Sequence, residues 1–413
     1  MSHYEIVFTL TGLSKSVQFH ILNTLYQTLI EVSEKGKHAD RMIDKYMRAN
    51  KQWTADDRHL FAEAVYGIIR QKRNLEFIAD SNDLWQIIGA YLVIKKLKPV
   101  IRPEFKNSDP VKIQSRQNSK KAAAVEHSFP DWLFEIGESE FGNEWPAIMQ
   151  SLNKDPEIYL RTNTLKTNVD KLISDLKSEK IEAFKIKSTV NLPEGLQLKE
   201  RKNVFSTAAF KKGDFEMQDA GSQSIAGLLQ VAPGQHVVDT CAGSGGKSLH
   251  LAALMQNKGK IVAMDIHDWK LQDLKQRAAR AGATILETKL IDSPKVIQRL
   301  ENNFDRVLID SPCSGLGVLR RNPDTKWKLD SEQINTVCEL QKDILAKYSV
   351  LCKPNGLMVY ATCSILKREN EDQVKWFLKS PAGKKWTLLS ENRIWPHKHG
   401  FDGFYAAVMK KSI

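Results

Sequence analysis

Two cysteines stand just after candidate strand ends, in Asp310-Ser311-Pro312-Cys313 and in Ala361-Thr362-Cys363-Ser364. A thiol is a soft nucleophile whose strength is set by its pKa. Carbon 5 of a pyrimidine is too weak a nucleophile to take a methyl group unaided. A thiolate adding to carbon 6 makes the ring enamine-like, and carbon 5 can then attack. Another base must afterwards remove the carbon-5 proton. An acid at Asp310 could steady the ring nitrogen as charge develops. A single cysteine at such a place reads as a small buried apolar residue. Two at matching strand ends, one with an acid three residues before it, read as a reaction pair.

A methyl donor would need a site nearby. Strand-like residues 237–239 run into Thr240-Cys241-Ala242-Gly243-Ser244-Gly245-Gly246-Lys247-Ser248, followed by a helical stretch. Glycines at a strand-to-helix turn let a ligand approach the backbone, and the helix N-terminus favours an anionic group. A phosphate-binding loop would need glycine at Cys241, and the dinucleotide fingerprint from Gly243 would need glycine or alanine at Ser248. Asp265, at the end of the second strand-like run, suits ribose hydroxyls. A nucleoside cofactor without a pyrophosphate site fits this pattern, and S-adenosylmethionine is the candidate. Its expected contacts are Asp239, Cys241, Ala242, Gly243, Gly245, Gly246, Lys247, Asp265 and Asp310.

These residues need elements to hold them. From residue 235 onward the apolar runs 237–238, 261–264, 307–309 and 357–360 alternate with helical stretches 248–255, 269–279 and 331–350. That alternation predicts a doubly wound, mostly parallel sheet. Ligands bind beyond the C-terminal ends of such strands, so Cys313 and Cys363 should face the cofactor's crevice. Cys338 and Cys352, within and at the end of a helical stretch, read as packing residues. Upstream, residues 157–186 read as a small α+β unit, with helix 169–178 capped by Asn168. Residues 17–97 carry helical spacing, as in Leu60, Phe61, Ala64, Val65 and Ile68, and predict an all-α domain. Residues 101–124, with Pro103, Asn107, Ser108 and Pro110, read as a linker or exposed basic loop. Residues 129–152 read as helical, opening at Pro130.

Composition narrows the class. A chain of 413 residues, 42% of them hydrophobic, can build two or three cored domains. The formal net charge is +12, with the excess in residues 201–413, which hold 32 basic and 22 acidic groups. A polyanionic partner such as RNA follows from that bias. No run approaches the ~18 apolar residues of a membrane helix. Residues 1–11 carry Glu5 and no basic start, so no secretory signal is expected. Five cysteines without a C-x-x-C pair give no zinc ribbon and no metal site. Reduced thiols and a cytoplasmic location are expected, and the chain is expected to act as a monomer.

The blocks at 239–247, Asp310-Ser311-Pro312-Cys313-Ser314-Gly315, Thr362-Cys363-Ser364 and Gln218-Asp219-Ala220-Gly221-Ser222-Gln223 resemble the RsmB/Sun/Nop family of RNA cytosine-5 methyltransferases. So do Arg161-Thr162-Asn163-Thr164-Leu165-Lys166 and Asp402-Gly403-Phe404-Tyr405. The likeness spans roughly residues 125–413. It implies that Cys363 is the nucleophile, that Cys313 assists release, and that Asp310 contacts the target base. It makes Asp265 the ribose acid and Asp292 an adenosine-side acid. Arg161, Asn163, Arg320 and Arg321 are implied RNA contacts; Pro323, Asp324 and Trp327 belong to the same RNA-bordering block. The family's loop usually has Ala-Pro where this chain has Gly243-Ser244, and serine where it has Gly221. Residues 39–47 and 56–70 look like a NusB-type RNA-binding helical domain. The expected order is therefore residues 1–124 as helical domain and basic linker, 125–215 as small α+β RNA-binding module, and 216–413 as a Rossmann-like S-adenosylmethionine-dependent methyltransferase domain. The implied activity is cytosine-5 methylation of small-subunit rRNA. Alternatives are a tRNA cytosine-5 methyltransferase and a non-catalytic RNA-binding ribosome-assembly factor.

Overall fold

A computed structural model describes residues 7–9, 15–101 and 103–413. Most of residues 1–11, where no secretory signal is expected, and Arg102 lie outside the described residues. The chain divides into two compact units: Met1–Lys154 with Leu319–Ser331, and Asp155–Val318 with Glu332–Ile413.

The first unit is helical. Its longest members are Lys15–Ser33 and Ala55–Arg70. Thr54 and Asp57 close a reciprocal cap on the second: the Asp57 N–H donates to Thr54 Oγ1 at 3.2 Å, and the Thr54 N–H to Asp57 Oδ2 at 2.8 Å. Phe61, Ala64, Val65 and Ile68 of that helix line one buried face, as their spacing predicts. A two-stranded antiparallel ribbon joins Val7–Thr9 to Lys98–Ile101.

Residues 101–124 are not a linker. They hold the helix Pro110–Gln117 and the single turns Pro103–Phe105 and Ala123–Glu126. Phe105 is 0% and Ile113 2% exposed, both in the helical core. The Asp109-Pro110 pair is a helix start rather than a loop: Asp109 Oδ1 accepts from the Val111 N–H at 2.9 Å, and proline occupies the first turn, where its missing donor costs nothing. The helices Asp131–Phe141 and Trp145–Leu152, expected to open the next module, belong to this unit too. Arg73 reaches them by donating to Phe129 O at 2.7 Å and pairing with Asp131.

The second unit holds two sheets. In the smaller, antiparallel one the spatial order is Ala183–Lys185, Gly195–Leu198, Tyr159–Thr162, Phe215–Met217. Its helix Val169–Ser178 is capped by Asn168, whose side chain accepts from the Lys171 N–H at 2.9 Å. Strands 195–198 and 215–217 escaped the sequence reading because each is too short to show alternation.

The larger sheet has seven strands in the order Trp386–Ile394, Phe404–Lys411, Cys352–Thr362, Phe304–Asp310, His236–Asp239, Lys260–Asp265, Leu286–Leu290. The five from Cys352–Thr362 to Leu286–Leu290 pair in parallel; the two at the other edge pair antiparallel. Strand order reverses between His236–Asp239 and Phe304–Asp310, and ligands of such sheets bind at that point. No helix among the described residues is long and apolar enough to cross a membrane.

Candidate active site

The cofactor loop leaves the strand His236–Asp239 through backbone that only glycine accepts comfortably. Gly243 and Gly245 have φ of +54° and +84°. Gly245 then opens the helix Gly246–Leu254. The Gly243 N–H donates to Asp265 Oδ2 at 2.9 Å, and the His267 N–H to Asp265 Oδ1 at 2.9 Å. Asp265 therefore ties the first strand's loop to the second strand's end.

Beside that loop lies a cleft of about 600 Å³. Cys241, Gly243, Asp265, Asp292 and Asp310 line it, as expected from the sequence. Asp239, Ala242, Gly245, Gly246 and Lys247 shape the loop behind it instead. Sequence reasoning missed its apolar wall, which includes Ile266, Ile291, Leu340 and Ile344. Ile266 remains 62% exposed, and its place directly after Asp265 was the available signal. Acidic groups at one side and an apolar wall at the other suit a purine nucleoside: carboxylates for its hydroxyl and amino donors, hydrocarbon for its ring faces.

Electrostatics sort the carboxylates. Lys247 Nζ lies 2.6 Å from Asp310 Oδ2. Burial works against the Lys247 charge, but Asp310 outweighs it and the ammonium is held above its ordinary range. Asp239 is 1% exposed; burial pushes its carboxyl up to about 7, against the hydrogen bond it accepts from Ser248 at 2.6 Å.

The cysteine loops meet beyond the sheet. Strand register sets Asp310 opposite Ala361, and the Ser311 N–H continues the pairing to Ala361 O at 2.8 Å. The Gly317 N–H then donates to Cys363 O at 2.8 Å. A Cβ on Gly317 would lie 2.7 Å from that oxygen, so glycine is what lets the two loops close. The outcome is a Cys313–Cys363 sulfur separation of 3.3 Å, with neither in a disulfide. The Cys313 thiol is pushed well up, first by its hydrogen bond with Cys363 and then by burial. Cys241 is also pushed up, by burial and by Asp239, and stays a thiol. Cys338 and Cys352 are buried away from this pair, 8% and 0% exposed.

The residues expected to touch RNA sit differently. Arg161 is 2% exposed; its guanidinium donates to Gly246 O at 2.7 Å and to Gln218 Oε1. Burial brings its pKa down to about 10. Asn163 Nδ2 donates to Gly213 O and Ala281 O, at 2.8 and 2.7 Å. Both side chains brace the small sheet against the cofactor loop and the helix Asp268–Ala281. Arg320 is buried in the helical unit, where its Nε and Nη2 donate to Ser151 O and Oγ, each at 2.8 Å. Arg321 is half-buried beside it. Lys326 and Trp327 of the same segment donate to Arg70 O and Ile69 O. Arg161, Asn163 and Arg320 thus each donate to backbone carbonyls inside the fold.

A cleft of this lining at the switch point of the sheet, with the Cys313 loop leaving it through Asp310 and Pro312, fits a Rossmann-like methyltransferase whose cofactor is S-adenosylmethionine. Residues 226–410 match the family described as 16S rRNA methyltransferase RsmB/F, and residues 129–205 match its ferredoxin-like domain. The chain is 32% identical to a Bacillus subtilis protein named "Probable ribosomal RNA small subunit methyltransferase B", over 93% of this chain and 97% of that one. It is 28% identical to the Shewanella oneidensis protein named ribosomal RNA small subunit methyltransferase B, over 94% and 98%. Its fold is similar to the crystal structure of PH0851, with a TM-score of 0.77 and 26% identity over 94% of this chain and 98% of that one. The chain belongs to the RsmB/F family of methyltransferases.

Proposed function

We propose that this methyltransferase acts on small-subunit rRNA in the cytoplasm and methylates carbon 5 of a cytosine, with Cys363 as nucleophile and Cys313 as the releasing base. The observation that carries this reading is the pair of free sulfurs 3.3 Å apart at the ends of adjacent strands. The names of the relatives support the rRNA substrate.

S-adenosylmethionine supplies an electrophilic methyl group when bound; the chain's own residues do the rest. Cys363 adds to carbon 6, and the electron pair of the 5,6 double bond moves to carbon 5, which takes the methyl group. Asp310, paired with the Lys247 ammonium, orients the ring by accepting from the cytosine amino group, and the ammonium offsets the negative charge that develops on the ring. Cys313 is a poor competitor for the first attack, since its hydrogen bond with Cys363 keeps it protonated. Once the Cys363 sulfur is bonded to carbon that bond weakens, and with it the largest cause of the raised pKa. Cys313 can then give its proton to water and, as thiolate, take the carbon-5 proton. The electrons of that C–H bond reform the double bond and expel the Cys363 thiolate. The target cytosine must leave its stack to reach such a crevice, at a cost of a few kcal/mol that is smallest in a loop.

The test uses small-subunit rRNA, S-adenosylmethionine and nucleoside mass spectrometry. Wild-type protein is expected to produce 5-methylcytidine. Cys363→Ala is expected to produce none, and Cys313→Ala to accumulate a covalent protein–RNA band that vanishes in the double variant. Full methylation by Cys363→Ala would overturn the reading.

A further inference from the structure

We infer that Glu369 is a positioning residue for the two-cysteine chemistry, a buried carboxylate that fastens the loop of Cys313 to the loop of Cys363. The inference rests on the cysteine roles proposed above.

Pairing between these two strands ends at Asp310 and Ala361, with Thr362 held by Tyr405 of the next strand and the Gly317 N–H reaching Cys363 O. Cys313 and Cys363 lie beyond that pairing, on loops, yet their sulfurs are in contact. Glu369 ends the short turn Lys367–Glu369 and is 0% exposed. Its Oε2 accepts from the Ser314 N–H at 2.7 Å, and its Oε1 from Ser314 Oγ at 2.5 Å and from Ser364 Oγ. Ser314 directly follows Cys313, and Ser364 directly follows Cys363. The two hydroxyls are themselves 3.2 Å apart. Gln341 adds a fourth donor to Oε2 at 3.2 Å, and the same amide donates to Pro312 O at 3.0 Å. Tyr360 fixes the backbone of Glu369 by donating to its carbonyl at 2.7 Å.

All four donors to the carboxylate are neutral. A buried carboxylate is costly without full hydrogen bonding, so its place here demands both serines at once. That makes the side chain a short, rigid bridge between the residues next to the two sulfurs. Glutamine is a mild change here, because its NH₂ can turn to the two serine hydroxyls, which accept as well as donate, while its oxygen keeps the Ser314 N–H and Gln341. Alanine removes all four bonds at once and releases the cysteine loops from each other on this side. The negative charge has a second effect, since it is one of the causes that hold the Cys313 thiol up, after Cys363 and burial.

The experiment begins with wild-type and Cys363→Ala protein on small-subunit rRNA, read as 5-methylcytidine. No product from the wild type, or full product from Cys363→Ala, removes the cysteine roles and the inference with them. With those roles standing, Glu369→Ala is expected to lower kcat about 100-fold, the order set by an ångström of misplacement. KM for S-adenosylmethionine should stay unchanged, because Glu369 is not among the residues that line the cleft. Unchanged kcat, even with a lower melting temperature, overturns the assignment of Glu369 while leaving the cysteine roles intact. If Glu369→Ala does not fold, Ser364→Ala decides. It keeps the carboxylate and three donors, and a smaller fall in kcat at constant KM is expected. Wild-type kcat in that variant overturns the inference.

Discussion

Alanine at Gly245 would meet two independent penalties. The backbone there has φ +84° and ψ 15°, a left-handed conformation that costs an L-residue about 1–2 kcal/mol. The new Cβ would also lie 2.5 Å from Leu274 Cγ and 2.9 Å from its Cδ1. Cγ is a branch point rather than a free tip, and Leu274 is 0% exposed within the core of the large sheet. It cannot step aside without moving the helix Asp268–Ala281, and overpacking of that kind costs about 1–3 kcal/mol. Gly245→Ala should therefore destabilise the catalytic unit by about 2–5 kcal/mol and weaken S-adenosylmethionine binding. Amide exchange of the strands His236–Asp239 and Lys260–Asp265 reads the stability, and calorimetric titration reads the binding. Leu274→Ala separates the penalties: it removes the clash but not the strained φ. In the double variant the two losses should add to less than their sum, by about 1–3 kcal/mol. A loss below about 1 kcal/mol in Gly245→Ala, or strict additivity with Leu274→Ala, would refute the reasoning.

Two further outcomes follow from the same structure. Burial raises the Asp239 carboxyl to about 7 from an unfolded value near 3.8, so the folded state binds that proton more tightly. The stability this contributes is fully present below about pH 4 and is lost as pH rises through about 7. Asp239→Asn never ionises, so its stability relative to wild type should climb across that window by a few kcal/mol, at about 1.4 kcal/mol per unit; a pH-independent offset in urea unfolding would contradict it. Arg320→Ala should destabilise the helical unit by about 3 kcal/mol through loss of its bonds to Ser151, with KM for rRNA and its salt dependence unchanged. Weaker RNA binding at wild-type stability would restore Arg320 to the RNA surface.

How far the sequence could be read depended on how local each property is. The Gly-rich turn, the capped helices and the alternation of strands from residue 235 are short-range features, and the structure has them where the residues place them. Asp109-Pro110 shows the limit of local rules, since the same pair starts either a turn or a helix. What decided was Phe105 and Ile113 finding an apolar surface to cover. Strands of three or four residues, such as Phe215–Met217, carry too little pattern to be seen before their partners are known.

Residue type and order alone put two thiols, an acid and a glycine turn at the ends of parallel strands, because strand–loop–helix succession sends those ends to one edge of the sheet. Burial and distance came only with the folded chain. Arg161, Asn163 and Arg320 read as surface groups until the elements packed over them turned their donors to carbonyls inside. Glu369 drew no reading from the sequence, because what marks it is the pair of serines, each one position past a cysteine, that close on it in the fold. Chain order sets which groups reach a crevice, whereas packing sets which of them meet solvent and which hold the others in place.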